Sequence, residues 1–178
     1  MFTLVEVRRR VYYSLAATAC MIAVLSAGAL TPLDPNTSEM LLSQAEQLIS
    51  RAGASPLGIL ANNLLASLIM MIPAIGIPLS IFIVYNTGLI FSALSVSYGV
   101  PSYLLLTIPF ITLYGLLEML AYGVAVSESA VMVSAVFRRR IGRELKLLPI
   151  VVAVTAALLA VAALLEFLLI GILAGPPA

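Results

Sequence analysis

Histidine and tryptophan are absent from this 178-residue chain, and cysteine occurs once, at position 20. Without imidazole the chain lacks the side chain that most often serves as general base, proton switch and metal ligand near neutral pH. A single thiol rules out an intramolecular disulfide, and Cys20 lies inside an apolar run. Met70-Met71 and the other methionines have no nearby Cys or His partner of metal-handling spacing, so no metal or cofactor is expected. The missing tryptophan leaves interfacial anchoring to tyrosines such as Tyr12, Tyr13, Tyr98 and Tyr103. Charge is scarce as well: 10% of residues are charged, against about a quarter in a soluble domain. No stretch joins a basic patch to interleaved aromatics, which argues against a nucleic-acid partner. No Asp falls in a long apolar run and no Ser-His or His-Glu constellation exists, so an enzyme is not expected.

What the chain does have is oil: 62% of its residues are hydrophobic. A water-soluble fold of this length has too little interior to hide that much apolar surface, so the expected solvent is the lipid bilayer. Eight of the nine basic residues fall in two clusters, Arg8, Arg9 and Arg10, then Arg138, Arg139, Arg140, Arg143 and Lys146. Lys and Arg near span ends are retained on the cytoplasmic side, so both clusters are read as cytoplasmic anchors.

Residues 11–30 match the ~20 residues needed to cross a ~30 Å hydrocarbon core. The flanking arginines and the small residues Ser26-Ala27-Gly28-Ala29 also fit a secretory signal peptide. The run is read as a retained first span with its N-terminus inside. Residues 31–56 form the one extended polar stretch. Turn chemistry at Pro32 and Pro35 precedes an amphipathic helix expected over about 37–52, introduced by Asn36-Thr37-Ser38-Glu39. Met40, Leu41, Ala45, Leu48 and Ile49 are assigned to its apolar face, which suits either the outer membrane surface or a lid on the other spans.

The next apolar run, 57–72, is short for a span and ends in Pro73-Ala74-Ile75-Gly76-Ile77-Pro78, which is read as a cytoplasmic turn; a re-entrant segment is the alternative. A span over 79–98 and an outer turn at Gly99-Val100-Pro101 follow. The run from 102 to 137 would reach roughly 54 Å as one helix, so it must tilt, bend near Pro109, Gly115 or Gly123, or leave the bilayer. Its membrane part is placed at about 102–130, the basic loop at 138–146, and a last span at 147–173. The expected fold is therefore all-α: one membrane domain, a helical bundle of about five spans plus an outer amphipathic helix. Five crossings put both basic clusters inside and the C-terminus outside.

Ionisable residues in a span cost roughly 2.5–3.5 kcal/mol each on insertion scales. Glu118, Glu128 and Glu166, with Asn62, Asn63 and Asn86, form the candidate intramembrane polar cluster. Helix rise puts Glu118 and Asn86 at a similar depth in the inner third, so these two are expected to pair. Glu128 is expected to meet the arginines that follow it. Such groups serve either as ties between helices or as a hydrophilic path for an ion or solute. Small residues mark close packing: Gly115 and Gly123, and on the last span Ala153, Ala156, Ala157, Ala160 and Ala163, a face suited to helix–helix or subunit contact.

The order of these polar elements resembles the stage II sporulation protein M family. Ala61-Asn62-Asn63, Asn86-Thr87-Gly88, Tyr114-Gly115-Leu116-Leu117-Glu118, Leu148-Pro149 and Ala163-Leu164-Leu165-Glu166-Phe167 carry the resemblance, over roughly residues 57–170. The family shows an Asn pair, an Asn-Gly element, a Pro-His-Gly segment with Glu three residues after the Gly, and a late Glu. Here Leu113-Tyr114 stands for the Pro-His, and Thr87 is inserted in the Asn-Gly step. The resemblance implies a polytopic membrane protein without established catalysis; one member in spore-forming bacteria helps localise cell-wall hydrolases. The Ala-, Leu- and Val-rich, Lys-poor composition fits the archaeal relatives. The leading expectation is a self-associating membrane scaffold or assembly subunit. The competing one is a transporter or channel component, including the membrane half of a larger transporter whose basic loop 138–146 docks a soluble protein partner.

Overall fold

The structure, a computed structural model, describes residues 4–52 and 55–174. These fold into eight helices with no strand among them: α1 (Leu4–Ala29), α2 (Pro35–Ala52), α3 (Pro56–Met70), α4 (Gly76–Tyr98), α5 (Ser102–Ile111), α6 (Tyr114–Phe137), α7 (Ile141–Leu145) and α8 (Leu148–Ala174). The boundaries follow from local chemistry. Asp34 accepts from the Thr37 amide at 3.0 Å and the Thr37 hydroxyl at 2.6 Å. Those bonds hold the Asp34 carboxyl below its ordinary range. With a carboxylate cap in place and proline suited to a first helical position, α2 starts at Pro35. That is two residues before the start expected at Thr37. Ser55 caps α3 by accepting from the Gly58 amide at 3.1 Å, again with proline next.

Pro78 does not delay α4, which begins at Gly76, because a proline in the first helical turn has no amide partner to forfeit. The start expected at Leu79 is thus corrected by three residues. Gly99, with φ 64°, ends α4 in the left-handed conformation that glycine adopts at no steric cost. The long run 102–137 is not one helix. It breaks at Leu113, whose φ is 68°, so α5 and α6 meet at an angle. The break sits between the expected hinges. A Cβ on Gly115 would lie 2.6 Å from the Pro109 ring, so the ring packs where only glycine fits. Helix α6 then continues to Phe137, well past the 130 expected for its membrane part.

Four helices are long and apolar enough to cross a membrane: Glu6–Ala29, Gly76–Tyr98, Tyr114–Phe137 and Leu148–Ile172. The expected fifth span, 57–72, is the 15-residue α3, which reaches about 22 Å and falls short of a ~30 Å hydrocarbon core. Many large apolar side chains remain exposed on the bundle's outside, including Phe82, Ile108, Ile150 and Leu168.

Cross-helix contacts define how the helices run. Arg10 meets Glu128, Ser14 meets Ser127 and Thr18 abuts Gly123, so α1 and α6 are antiparallel. Gly28 rests on Gly88 and the Ser92 hydroxyl donates to the Thr31 carbonyl, so α1 and α4 run the same way. Helix α3 reaches α6 through Asn63 with Glu118 and through the Ile72 carbonyl with Ser129, and so runs with α6. One end of the bundle therefore gathers the starts of α1 and α4 and the ends of α3 and α6.

The amphipathic α2 lies along α4, with a smaller contact on α3. Ser38 is buried and Leu41, Leu42 and Ala45 are half-buried, whereas Met40, assigned to the apolar face, is 53% exposed. The side chains of Leu48 and Ile49 lie outside the described residues.

The close crossing of α1 and α4 depends on two glycines. A Cβ on Gly88 would fall 2.3 Å from the Leu25 carbonyl oxygen, and one on Gly28 2.3 Å from that of Tyr85. Backbone cannot yield as a flexible side chain does, so Gly88→Ala is expected to cost about 1–3 kcal/mol. Thermal unfolding in detergent checks this against Gly171→Ala, whose Cβ would meet nothing within 4 Å and which should not lower the midpoint.

Candidate functional site

Polar side chains inside the bundle gather at two levels. The first joins α3 to α6. Asn63, on the inward flank of α3, donates its Nδ2 hydrogen to Glu118 Oε1, and the Tyr122 hydroxyl donates to Asn63 Oδ1 at 3.2 Å. Glu118 and Tyr122 are one helical turn apart on α6, so both present to the same neighbour. Helices α3 and α6 thus share one polar layer, and Glu166 is half-buried on α8, which packs on both.

The second level sits at the end that gathers the starts of α1 and α4. Arg10 is the hub: Nη1 pairs with Glu128 Oε2 and Nη2 with Glu144 Oε2. The Glu128 side chain is 2% exposed. Beside this pair, Arg143 Nη2 donates to both carboxylate oxygens of Glu6, at 2.6 and 2.7 Å. The two basic clusters, some 130 residues apart in the chain, therefore meet at one end of the molecule through the acids between them. Contrary to expectation, Glu128 does not pair with the arginines that follow it; its partner is Arg10 of α1. The reason is helical direction: α6 buries Glu128 among other helices, whereas Arg138, Arg139 and Arg140 lie beyond its last turn and are exposed.

Other expected groupings come apart. Asn86 does not reach Glu118; its Nδ2 donates at 2.7 Å to the Phe82 carbonyl one turn back on its own helix. Similar depth did not place them on facing sides. Asn62 is exposed, and its Nδ2 sits 3.5 Å from Asn63 Oδ1, at the limit of a hydrogen bond. On α8, Ala153 and Ala157 face outward and Ala160 is half-buried; of the expected face Ala163 is buried, beside Thr155, Leu159 and Ala162. Gly123 packs as expected, its missing Cβ making room for Thr18 and the Ser14 carbonyl.

Tyr122, Glu6 and Glu144 belong to these sites and were not singled out from the sequence. Tyr122 was recoverable from its position one turn after Glu118, and the two acids from their places inside basic clusters. The Gly28–Gly88 crossing also left a trace: Gly76, Ser80, Val84, Gly88 and Ser92 repeat every fourth residue, and all five are buried. The Ser67 hydroxyl, the Thr155 hydroxyl and Glu128 Oε1 are buried without a hydrogen-bond partner.

Two crevices flank the α1–α6 seam. One, of about 550 Å³, opens at the charged end between α1, α6 and α7. The other, of about 570 Å³, is almost wholly apolar and lies between α1, α6 and α8. Neither is lined by Asn63, Glu118, Tyr122 or Glu166. Among the described residues no group of three His, Cys, Asp or Glu is arranged to hold a metal ion. Chemically, the arrangement can tie helices and hold charge.

Neither a family model, nor a curated protein, nor a solved structure matches this chain. What the fold itself defines is a helical bundle with apolar helices compatible with a membrane protein.

The polar layer has a measurable coupling. In a double-mutant cycle of Asn63→Ala and Glu118→Ala, thermal unfolding in detergent is expected to return about 0.6–2 kcal/mol of interaction energy, while Glu118→Gln, which keeps an acceptor oxygen, stays near wild type. The hub is worth more. Arg10→Met leaves Glu128 buried without its countercharge and is expected to cost about 3–5 kcal/mol, most of it recovered when Glu128→Leu is added. An Arg10→Met chain as stable as wild type would show that the pair carries no structural weight.

Proposed function

We propose that this chain is a multi-pass cell-membrane protein that acts as a non-enzymatic scaffold or assembly subunit. The observation that carries the reading is the closed tie Tyr122–Asn63–Glu118. Its polar groups are spent on one another between α3 and α6, which is what a rigid platform needs and what an open transit path lacks. In this reading the charged end faces the cytoplasm, because arginines at span ends are retained there. The N-terminus is then cytoplasmic, the short α3 together with the turn after it returns the chain to that side, the bent α5–α6 pair completes a crossing, and the C-terminus lies outside. Helix α2 rests at the outer surface on α4.

Self-association belongs to the same proposal. Ala153 and Ala157 are exposed on α8, and small residues let helix backbones approach closely in lipid, so a second copy is the natural neighbour for that face. The basic end offers Arg138, Arg139 and Arg140 to a soluble protein partner.

The resemblance to the stage II sporulation protein M family supports the scaffold reading through its polytopic, non-catalytic character. One departure has a structural consequence. Leu113 stands where that family carries proline, and its φ of 68° is one a proline ring cannot adopt.

Transport is the second reading, since Glu118 and Glu166 are carboxyls on apolar helices and such carboxyls mark ion paths elsewhere. Reconstitution separates the two. Proteoliposomes carrying the chain are expected to pass protons and sodium no faster than empty liposomes. A flux above that background, abolished by Glu118→Gln, would overturn the scaffold reading.

A further inference from the structure

The crevice at the charged end has a polarity gradient along its length. Its outer end is formed by Arg9 of α1 with Arg138, Arg140 and Arg143 around the α6–α7 corner. Further along the crevice the walls are mostly apolar, with Ala16 and Ala17 of α1 and Val126, Ala130 and Val131 of α6, and Ser127 among them. From Arg9 to Ala17 is about 12 Å of helix rise, and Tyr13 stands between the two regions. The acids on the wall are already engaged, Glu6 by Arg143 and Glu144 by Arg10. Arg9, Arg138 and Arg140 have no carboxylate partner among the described residues. Convergent guanidinium groups recognise phosphate oxygens through paired hydrogen bonds, and a tyrosine suits the polar–apolar boundary.

We propose that this crevice binds an anionic phospholipid, its phosphate held by Arg9, Arg138 and Arg140 and the root of one acyl chain lying against Ala17 and Ala130. Free phosphate would satisfy the arginines alone. It would leave the apolar floor unfilled, which is why the lipid is the occupant the geometry selects. The geometry also divides each basic cluster. Arg8 and Arg139, immediate neighbours of Arg9 and of Arg138 and Arg140, do not line the crevice. A diffuse attraction to a negative surface would use all of them alike.

The inference rests on the membrane reading, and carbonate-resistant retention in the membrane fraction tests that reading separately. The site itself is tested on the full chain in detergent by native mass spectrometry and thermal unfolding, with phosphatidylglycerol, phosphatidylcholine or inorganic phosphate added. Phosphatidylglycerol is expected to stay bound and to raise the unfolding midpoint above that in phosphatidylcholine. Arg138→Gln and Arg140→Gln should each weaken that preference about fivefold, while Arg8→Gln and Arg139→Gln leave it unchanged. Equal effects of the two lipids, equal losses from Arg8→Gln and Arg138→Gln, or the same protection from inorganic phosphate would each overturn the site.

Discussion

Arg10 is the residue on which the rest of the arrangement hangs. It enters from α1 and pairs with Glu128 of α6 and Glu144 of α7, two acids 16 positions apart in the chain. A carboxylate buried as deeply as Glu128 is expensive unless a countercharge and good geometry accompany it. That cost sets register: α1 can slide along α6 only by stripping Glu128 of its partner. With register set, Ser14 meets Ser127 and Thr18 fits the gap at Gly123. Further along α1, Gly28 then reaches Gly88, so the ion pair at one end and the glycine crossing nearer the other hold α1 between α6 and α4.

The interior follows the logic of a bundle whose outer surface is as apolar as its core. Where lipid is the solvent, burying another leucine between helices gains little, and specificity falls to close packing and hydrogen bonds. The buried stripe Gly76, Ser80, Val84, Gly88 and Ser92 shows the first device, since small and β-branched side chains let α4 approach its neighbours. The Tyr122–Asn63–Glu118 tie shows the second. The short α3 is held by that tie and by the Ser129 hydroxyl on the Ile72 carbonyl, so an element of marginal length is fixed by polar bonds at two heights. The charged end, by contrast, keeps more positive charge than its three acids, Glu6, Glu128 and Glu144, can neutralise. That excess is what makes the anionic-lipid crevice chemically specific.

Much of the helix content was legible because apolar runs and proline or glycine punctuation are local signals. Asp34-Pro35, Ser55-Pro56 and Gly99-Val100-Pro101 mark boundaries by their own conformational limits, and where the expected ends slipped, the cause was again local, as with Pro78 inside a first turn. Facing was less legible. Helix rise pointed to Asn86 as the partner of Glu118, whereas Glu118 pairs with Asn63. That choice depends on rotation about α3 and α4, which differ in which flank meets α6. The outward turn of Ala153 and Ala157 has the same origin, because a helix that is apolar all round carries no amphipathic stripe to orient it.

The amino-acid order by itself determined that this protein is helical and oily, where most of its helices begin and stop to within a few residues, and that eight of its nine positive charges fall in two short segments. Those properties depend on backbone limits and side-chain polarity, which act within a few residues. Only the tertiary structure decided that Arg10 would meet Glu128, that Asn63 would answer Glu118, and that Arg9 but not Arg8 would face a crevice. Each of these depends on the angular setting of one helix against another, and that setting is chosen by the whole set of close contacts at once.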